Sequence, residues 1–306
     1  MLSTVLLGTR KGFIAWHFSK NRWQFENLFF EGSPVSIAYA DARTGTWWAC
    51  LDHGHWGVKL HRSNNRGKTW EEVTAPAYPE GEEIKDGIPA TTRYIWAMAD
   101  GGKNFKSRLW IGTDPGGLFM SEDKGNSFQL VESLWKHPTR KEGWFGGGRD
   151  QPGIHSIVVD PRNENRVHVG ISCAGVFETI DAGKTWEIRN KGMRAEFLPN
   201  PDAETGYDPH ILVAAPTNPD ILWQQNHCGS TRHVKRGGLV EVATSLVSIP
   251  LLLIRATKIV FMLVSVVRAY LKRSMLVKPG RSAIKVCGRN FFPIRMQKPD
   301  MIRIYW

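Results

Sequence analysis

The chain has 306 residues, including 13 tryptophans and 30 glycines, and its formal net charge is +11. The charge is uneven: residues 1–229 carry 25 basic and 27 acidic side chains, whereas residues 230–306 carry 15 basic and two acidic ones. Because the longer part is almost neutral, the basic balance does not predict nucleic-acid binding, and we expect no nucleic-acid partner. The abundant glycines and the scarcity of helical patterns favour an all-β protein with tight turns.

The N-terminal segment and the cysteines favour a cytoplasmic location. The first apolar run is too short for a secretory signal, and no basic residue precedes it. The cysteines have no paired spacing, which is typical of free thiols in a reducing compartment. They are Cys50, Cys173, Cys228 and Cys287.

An eight-residue turn motif occurs three times: SNNRGKTW at 63–70, SEDKGNSF at 121–128 and TIDAGKTW at 179–186. In such a turn the Asp or Asn side chain bonds backbone amides, the glycine supplies a positive φ, and the closing aromatic residue packs on a sheet. We therefore predict a structural role for these positions. They are Ser63, Asn65, Gly67, Trp70, Ser121, Asp123, Gly125, Phe128, Thr179, Asp181, Gly183 and Trp186.

The sequence around the motif repeats in units of four short strands. The first strand of each unit is predicted at 34–41, 93–100, 153–161 and 208–216. The second is predicted at 46–54, 108–117, 166–175 and 221–229. A third strand leads into the turn motif and a fourth carries its aromatic residue. Repeated four-stranded units predict a β-propeller, and residues 4–28 fit a partial unit that lacks its first strand.

The motif and its surroundings resemble the Asp-box, or BNR, repeat of sialidase-like β-propellers. Residues 6–13, 153–186 and 207–229 look like bacterial BNR-repeat proteins known as glycosyl hydrolases or sialidase-like proteins. The resemblance covers residues 1–229 and implies an incomplete propeller of about four blades, with the N-terminal fragment counted. It implies carbohydrate processing or binding on the top face of the propeller. The alternative is a non-catalytic scaffold that binds a ligand or a protein.

The repeat stops at Gly229, and residues 230–306 lack the blade period. Read one nucleotide forward, the codons possible for residues 233–241 permit Thr-Ser-Asn-Gly-Gly-x-Ser-Trp followed by Lys or Arg, which is another copy of the motif at the expected offset. We therefore predict a change of reading frame after Gly229 and an aberrant, poorly ordered tail over 230–306. Coding DNA that cannot encode the motif at 233–241 would exclude this hypothesis.

A membrane anchor is the alternative interpretation of the tail. Residues 246–267 are apolar, but Pro250, Arg255 and Lys258 interrupt the run of roughly 18 apolar residues that a span needs. A basic membrane-surface segment stays an alternative, although we do not expect membrane contact. An unclosed ring of blades also exposes an apolar side, so we expect low stability and, as one outcome, an inactive chain.

In a propeller, the loops before each first strand and after each second strand share one face, which we call the top face. Loops on such a face commonly carry the functional side chains of a fold. Glycoside cleavage needs two carboxyls, about 5 Å apart for retention or roughly 6.5–9.5 Å apart for inversion. The candidate carboxyls are Asp52, Asp114, Asp150 and Asp208. The alternative is that these aspartates pair with arginines or cap turns.

The sialidase-like resemblance implies a cluster of arginines for a carboxylate and a tyrosine nucleophile. Arg10, Arg93 and Arg149 are the candidate cations, and Tyr94 or Tyr207 is the candidate phenol. However, the N-terminal Arg-Ile-Pro type motif of sialidases is absent, and no glutamate is clearly placed beside a tyrosine. The remaining predicted ligand-binding residues are His53, His155, His210, Asn226, His227 and Trp144.

The histidines on this face are also metal-ligand types, together with His55 and Cys228. Their spacing is not that of a metal motif, and the segment 52–55 is the nearest approach to one. We therefore predict no metal site and no cofactor, and we interpret the histidines as neutral side chains bonded to backbone or water. The oligomeric state is left open.

Overall fold

A computed structural model describes residues 4–146, 149–191, 193, 205–215, 218–226, 229–234 and 238–243. Among these residues, successive antiparallel sheets follow one another along the chain, each with its strands in sequence order. Sheet 1 has three strands, β1 (Thr4–Thr9), β2 (Gly12–Ser19) and β3 (Arg22–Phe29). Sheet 2 has four strands, β4 (Val35–Ala40), β5 (Trp47–Asp52), β6 (Val58–Ser63) and β7 (Glu71–Val73).

Two insertions flank the third sheet. The first is a hairpin of β8 (Glu83–Lys85) and β9 (Ile88–Pro89). Sheet 3 then contains β10 (Tyr94–Asp100), β11 (Leu109–Asp114), β12 (Leu118–Ser121) and β13 (Gln129–Leu130). The second insertion holds two single-turn helices, α1 (Glu132–Trp135) and α2 (Arg140–Gly143).

The last two sheets again have four strands each. Sheet 4 contains β14 (Ile154–Asp160), β15 (Asn163–Ile171), β16 (Gly175–Thr179) and β17 (Glu187–Ile188). Sheet 5 contains β18 (Pro209–Ala215), β19 (Asn218–Asn226), β20 (Gly229–Val234) and β21 (Gly238–Ala243).

The first strands of sheets 2 to 5 lie next to one another in sequence order: β4 contacts β10, β10 contacts β14, and β14 contacts β18. Antiparallel four-stranded sheets packed in this succession are the blades of a β-propeller, so the predicted fold class is confirmed. The described residues form five blade sheets besides the two-stranded β8–β9 sheet, which is one blade more than the predicted count of about four. The difference arises because β20 and β21 complete a sheet that was predicted to break off.

Sheet 5 extends past the predicted boundary at Gly229. β20 pairs with β19 from Gly229 opposite Asn226 to Val234 opposite Ile221, and β21 pairs with β20 in turn. Backbone pairing does not require the turn motif, and β-branched residues such as Thr231 and Val242 favour strands. The change of reading frame concerns the coding DNA and stays a prediction, and residues 244–306 lie outside the described residues. No helix in the described part of the chain is long and apolar enough to cross a membrane.

Hydrophobic clusters fill the spaces between the sheets. Trp48, Leu109 and Phe119 lie in one cluster, and Trp110 and Phe177 lie in the next, all almost fully buried. Burial of each such side chain stabilises the fold by roughly 2 kcal/mol or more. Both faces of a blade pack against neighbouring blades, which explains why the strands contain so many large apolar side chains.

The three turn motifs share one hydrogen-bond geometry. In the second copy, Gly125 N donates to Ser121 Oγ over 2.8 Å, and Ser127 N donates to Asp123 Oδ1 over 3.0 Å. Hydrogen bonds from Ser127 lower the pKa of Asp123 to about 2. Gly125 has a φ of +80°, and a Cβ there would lie 2.4 Å from the Trp48 ring. Glycine is thus required both by the backbone conformation and by close contact with the preceding blade.

Sheet 1 has an aromatic face that no described element covers fully. Trp16 contacts Phe25 and Phe18 contacts Trp23, with ring centroids 5.8 and 5.2 Å apart. The side chain of Phe25 is 55% exposed. In a closed ring an adjacent blade would bury such a face, which fits the expectation of an incomplete propeller.

Candidate functional site

The top face is the edge at which first strands begin and second strands end. Asp52 ends β5 and Asp114 ends β11, and the pairing registers place them at equivalent positions of sheets 2 and 3. A backbone hydrogen bond ties each of them to the segment that leads into the first strand: Asp52 N donates to Pro34 O over 2.9 Å, and Arg93 N donates to Asp114 O over 2.8 Å. The repeat thus brings equivalent carboxyls to one edge of the propeller.

Each first strand of sheets 2 to 5 contains a register shift near its start, at the second residue of β4, β14 and β18 and at the third residue of β10. The shifted residues are Ser36, Trp96, His155 and His210. A β-bulge leaves its extra residue out of the ladder and re-aims the side chain, and such bulges are common beside functional sites. The fold therefore presents one irregularly oriented side chain per blade along the top face.

Asp114 is the most deeply buried carboxyl of the candidate site. Its side chain is 4% exposed, and Oδ2 lies 2.8 Å from Arg149 Nε. Its other oxygen, Oδ1, is buried and has no hydrogen-bond partner among the described residues. Burial raises the pKa of Asp114, and the positive charges of Arg149 and Arg93 offset only part of this rise. The protonated form of Asp114 is thus favoured at a higher pH than is usual for an aspartate.

A pocket of about 220 Å³ opens beside Asp114 and is lined by Arg93, Arg149, Asp150 and Gln151. Arg93 Nη1 lies 3.9 Å from Asp150 Oδ2, and both side chains are well exposed. The negative charge of Asp150 further raises the pKa of Asp114. The pocket thus holds two carboxyls and two guanidinium groups, of which only Asp114 is buried.

Aromatic rings support the guanidinium of Arg149. Its Cζ lies 5.2 Å from the ring centroid of Tyr94 and 5.1 Å from that of Trp96. Both distances are within the range of cation–π attraction, which contributes about 0.5–1 kcal/mol at exposed sites. The two rings also contact each other, with centroids 5.5 Å apart. Arg149 is therefore positioned by a built aromatic surface although its side chain is 47% exposed.

A histidine pair continues the cluster into sheets 4 and 5. The ring of His155 lies 3.8 Å from Trp96 and 5.4 Å from His210, and His210 Nε2 lies 3.1 Å from Asp208 Oδ2. Burial, together with the positive charges of His210 and Arg149, lowers the pKa of His155 to about 3. The lowered pKa favours the neutral form of His155 at physiological pH.

Two predicted site residues lie in the core instead. Trp144 is 3% exposed, packs 5.1 Å from Phe177, and donates its indole N–H to Thr139 Oγ1. Tyr207 is 5% exposed and packs with Leu212 in the cluster of sheets 4 and 5. The assignment of both to the ligand-contacting surface was wrong, because large rings at the base of a long loop fill the space between blades.

The other predicted residues are dispersed along the top face. Asp52 is partly buried, whereas Arg10 and His53 are exposed in their loops. Asn226 ends β19, and its side chain and all of His227 lie outside the described residues. No group of three His, Cys, Asp or Glu side chains in the described part could hold a metal ion. The structure thus brings together a subset of the predicted residues: Arg93, Tyr94, Asp114, Arg149, Asp150, His155, Asp208 and His210.

The predicted site residues omitted Trp96, which belongs to this cluster. Trp96 contacts Tyr94, His155 and Arg149, and Gln151 lines the pocket. Alignment of the repeat units would have identified Trp96, since it occupies the same strand position as His155 and His210. Its aromatic character favoured a core position, and the bulge that re-aims it leaves no signal in sequence.

The chain is similar to two curated xyloglucanases over part of its length. An oligoxyloglucan-reducing end-specific xyloglucanase from Emericella nidulans is 32% identical over 80 residues, which is 26% of this chain and 9% of that protein. A probable oligoxyloglucan-reducing end-specific xyloglucanase from Neosartorya fischeri is 28% identical over 127 residues, 41% of this chain and 13% of that protein. The chain thus spans about a tenth of the length of the relatives it matches. No protein-family model matches it.

Solved structures with similar coordinates include a xyloglucanase and YCF48. The GH74 xyloglucanase from Xanthomonas campestris has a TM-score of 0.47 and 15% identity, over 81% of this chain and 44% of that one. YCF48 from Cyanidioschyzon merolae has a TM-score of 0.46 and 12% identity, over 73% of this chain and 61% of that one. Membership of the sialidase-like family stays an expectation from the sequence.

Proposed function

We propose that the top face of the propeller binds a carbohydrate in the Asp114 pocket and that Asp114 donates a proton to the glycosidic oxygen. The carrying observation is a buried carboxyl with one unpartnered oxygen and a raised pKa, placed at the wall of an open pocket. A general acid needs its proton near neutral pH, and burial is a common means of raising a carboxyl pKa.

Asp150 is the second carboxyl in this proposal. It is exposed, it lines the same pocket, and its carboxylate lies 3.9 Å from Arg93 Nη1. When Asp114 protonates the leaving oxygen, Asp150 either attacks the anomeric carbon or removes a proton from the attacking water. Arg93 and Arg149 bind ligand oxygens and orient the sugar, since guanidinium groups donate several hydrogen bonds from one plane.

The local similarity to xyloglucanases supports an oligosaccharide of glucan type as the first substrate to test. We expect the full chain to cleave an aryl glucoside or an oligoxyloglucan, and D114N to reduce kcat by about 100-fold or more. D150N should reduce kcat similarly. The control is D86N, because Asp86 is 96% exposed on the β8–β9 hairpin and pairs only with Lys141. Equal turnover by D114N and D86N would contradict the proposal.

A non-catalytic carbohydrate-binding function is the second candidate. The observation that favours it is the exposure of Asp150, which is 93% and leaves the second carboxyl loosely held. In that case no glycoside is turned over, but a glycan binds and R149A weakens binding at least 10-fold. R162A is the matched control, since Arg162 is a half-exposed arginine that pairs with Asp160 and Asp220 away from the top face. Absence of both turnover and R149-dependent binding would overturn both candidates.

A further inference from the structure

A second pocket lies between sheets 2 and 3, at the end of the blades opposite the top face. It has a volume of about 420 Å³ and lies among the β4–β5 hairpin and the turn motifs of both sheets. Its charged and amide side chains include Arg62, Asn64, Lys106 and Lys124. We propose that this pocket binds an oxyanion group such as phosphate or sulfate.

The pocket contains an excess of positive charge. Its acidic lining residue, Asp41, is neutralised by Arg43, whose Nη2 lies 2.7 Å from Asp41 Oδ2. Arg62 is paired in turn with Glu71, with Nε 2.9 Å from Oε2. The ammonium groups of Lys106 and Lys124 have no ion-pair partner among the described residues. Two positive charges therefore face the pocket without compensation.

The neutral side chains add further hydrogen-bond donors. Thr46 Oγ1 accepts from Thr44 and donates to Asn64 Oδ1 over 2.8 Å, which leaves the amide N–H groups of Asn64 for another acceptor. Trp48 lines the pocket, is 2% exposed, and has an indole N–H with no hydrogen-bond partner in the described part of the chain. A ligand with several acceptor oxygens and negative charge satisfies this set of donors.

The equivalent strand positions of sheet 4 show that this excess of positive charge is not a general property of the blades. The register places Trp48 opposite Arg62 in sheet 2 and His168 opposite Glu178 in sheet 4. Glu178 there pairs with His168 and two arginines, so that anion and cations are both supplied by the protein. Between sheets 2 and 3, Arg62 is paired with Glu71, but no acidic side chain in the described part of the chain pairs with Lys106 or Lys124.

Binding is tested by titrating the full chain with sodium phosphate and with sodium sulfate at constant ionic strength, using sodium chloride as the balancing salt. We expect both oxyanions to raise Tm at millimolar concentration, and K106A/K124A to weaken the apparent affinity at least 10-fold. The control variant is K68A/K184A, which removes two exposed lysines from the turn motifs of sheets 2 and 4 and changes the net charge equally.

Three results would overturn the proposal. Chloride could raise Tm as much as the oxyanions, which would indicate screening of charge alone. The two double variants could respond identically, or isothermal titration calorimetry could detect no saturable binding to the unmodified chain. A preference for one oxyanion over the other identifies the group that the pocket takes. All variants carry substitutions of exposed lysines, so loss of folding is not expected.

Discussion

Asp114 and Glu178 are both buried carboxyls in neighbouring blades, with side chains 4% and 3% exposed, yet their surroundings differ. Asp114 has one arginine within ion-pair distance, and that arginine is half exposed. Glu178 is contacted by Arg166, His168 and Arg189. Although burial by itself raises the pKa of Glu178, hydrogen bonds from His168 and Arg189 and the charge of Arg166 lower it to about 2. For Asp114 burial outweighs the arginines.

Burial alone therefore does not mark a functional carboxyl. Glu178 is part of a compensated ion cluster that joins the strands of sheet 4, and its proton is absent at any physiological pH. Asp114 has a buried oxygen without a hydrogen-bond partner beside an open pocket. A buried polar atom without a partner lowers the stability of the fold, which is not expected of a residue with a purely structural role. The difference in compensation, and not in depth, separates a candidate site from a structural cluster.

The largest expected effect on the free energy of unfolding comes from a substitution of Glu178. E178Q keeps the shape of the side chain but leaves Arg166, His168 and Arg189 without their shared anion. Removal of one partner of a buried ion cluster costs about 3 kcal/mol or more in the free energy of unfolding. Urea denaturation measures the change. E187Q is the control, since Glu187 is 68% exposed and pairs with the same Arg189, and it should cost under about 0.5 kcal/mol. Equal destabilisation by the two variants would contradict the compensated-cluster interpretation.

Acid titration sharpens the same contrast. The pKa of Glu178 is depressed from its ordinary value of 4.5 to about 2, so its stabilising contribution is present above pH 4.5 and is lost as the pH falls through about 2. We expect the difference in unfolding free energy between the unmodified chain and E178Q to be largest at neutral pH and to vanish near pH 2. A difference that stays constant from pH 7 to pH 2 would show that packing, not charge, carries the effect.

The fold could be predicted from the sequence because each repeat contains a short turn motif whose residues specify the turn locally. The turn motifs at 63–70, 121–128 and 179–186 specify positive φ and side-chain-to-backbone bonds within eight residues, and the strands between them alternate regularly. The last two strands of sheet 5, β20 and β21, were not predicted, since the sequence after Gly229 carries no turn motif.

The candidate site was predictable only in part. Topology brings Asp114, Arg149 and His155 to one face, and repeat alignment is sufficient to find them. The burial of Trp144 and Tyr207 depends on how long loops pack between blades, and the orientation of Trp96 depends on a bulge. These features arise from tertiary packing between residues far apart in sequence, which periodicity does not record.

A smaller change in the free energy of unfolding is expected when the arginines beside Glu178 and Asp114 are removed. R189A removes one of the two arginines around Glu178, and because Arg189 is 40% exposed we expect a loss of about 1 kcal/mol in the free energy of unfolding. R149A should change that free energy less, since Asp114 can take up a proton when its arginine is removed. R149A should instead raise the pKa of Asp114. The pH above which activity falls, because the general acid has lost its proton, should then be higher. A larger destabilisation by R149A than by R189A would reverse the comparison.

The smallest expected effect has the opposite sign. D114N replaces a buried carboxylate by a neutral amide, and the exposed guanidinium of Arg149 can return to water, so we expect D114N to stabilise the chain by about 0.5–1 kcal/mol at neutral pH. The pKa of Asp114 in the folded chain is raised above its ordinary value of 3.8, so the unmodified chain loses stability as the pH rises above 3.8. The stability advantage of D114N should therefore be absent at pH 3 and present at pH 7. Thermal unfolding at both pH values measures this. A destabilised D114N at pH 7 would make Asp114 a structural residue like Glu178, and its partnership with Arg149 would then be a fold-stabilising ion pair.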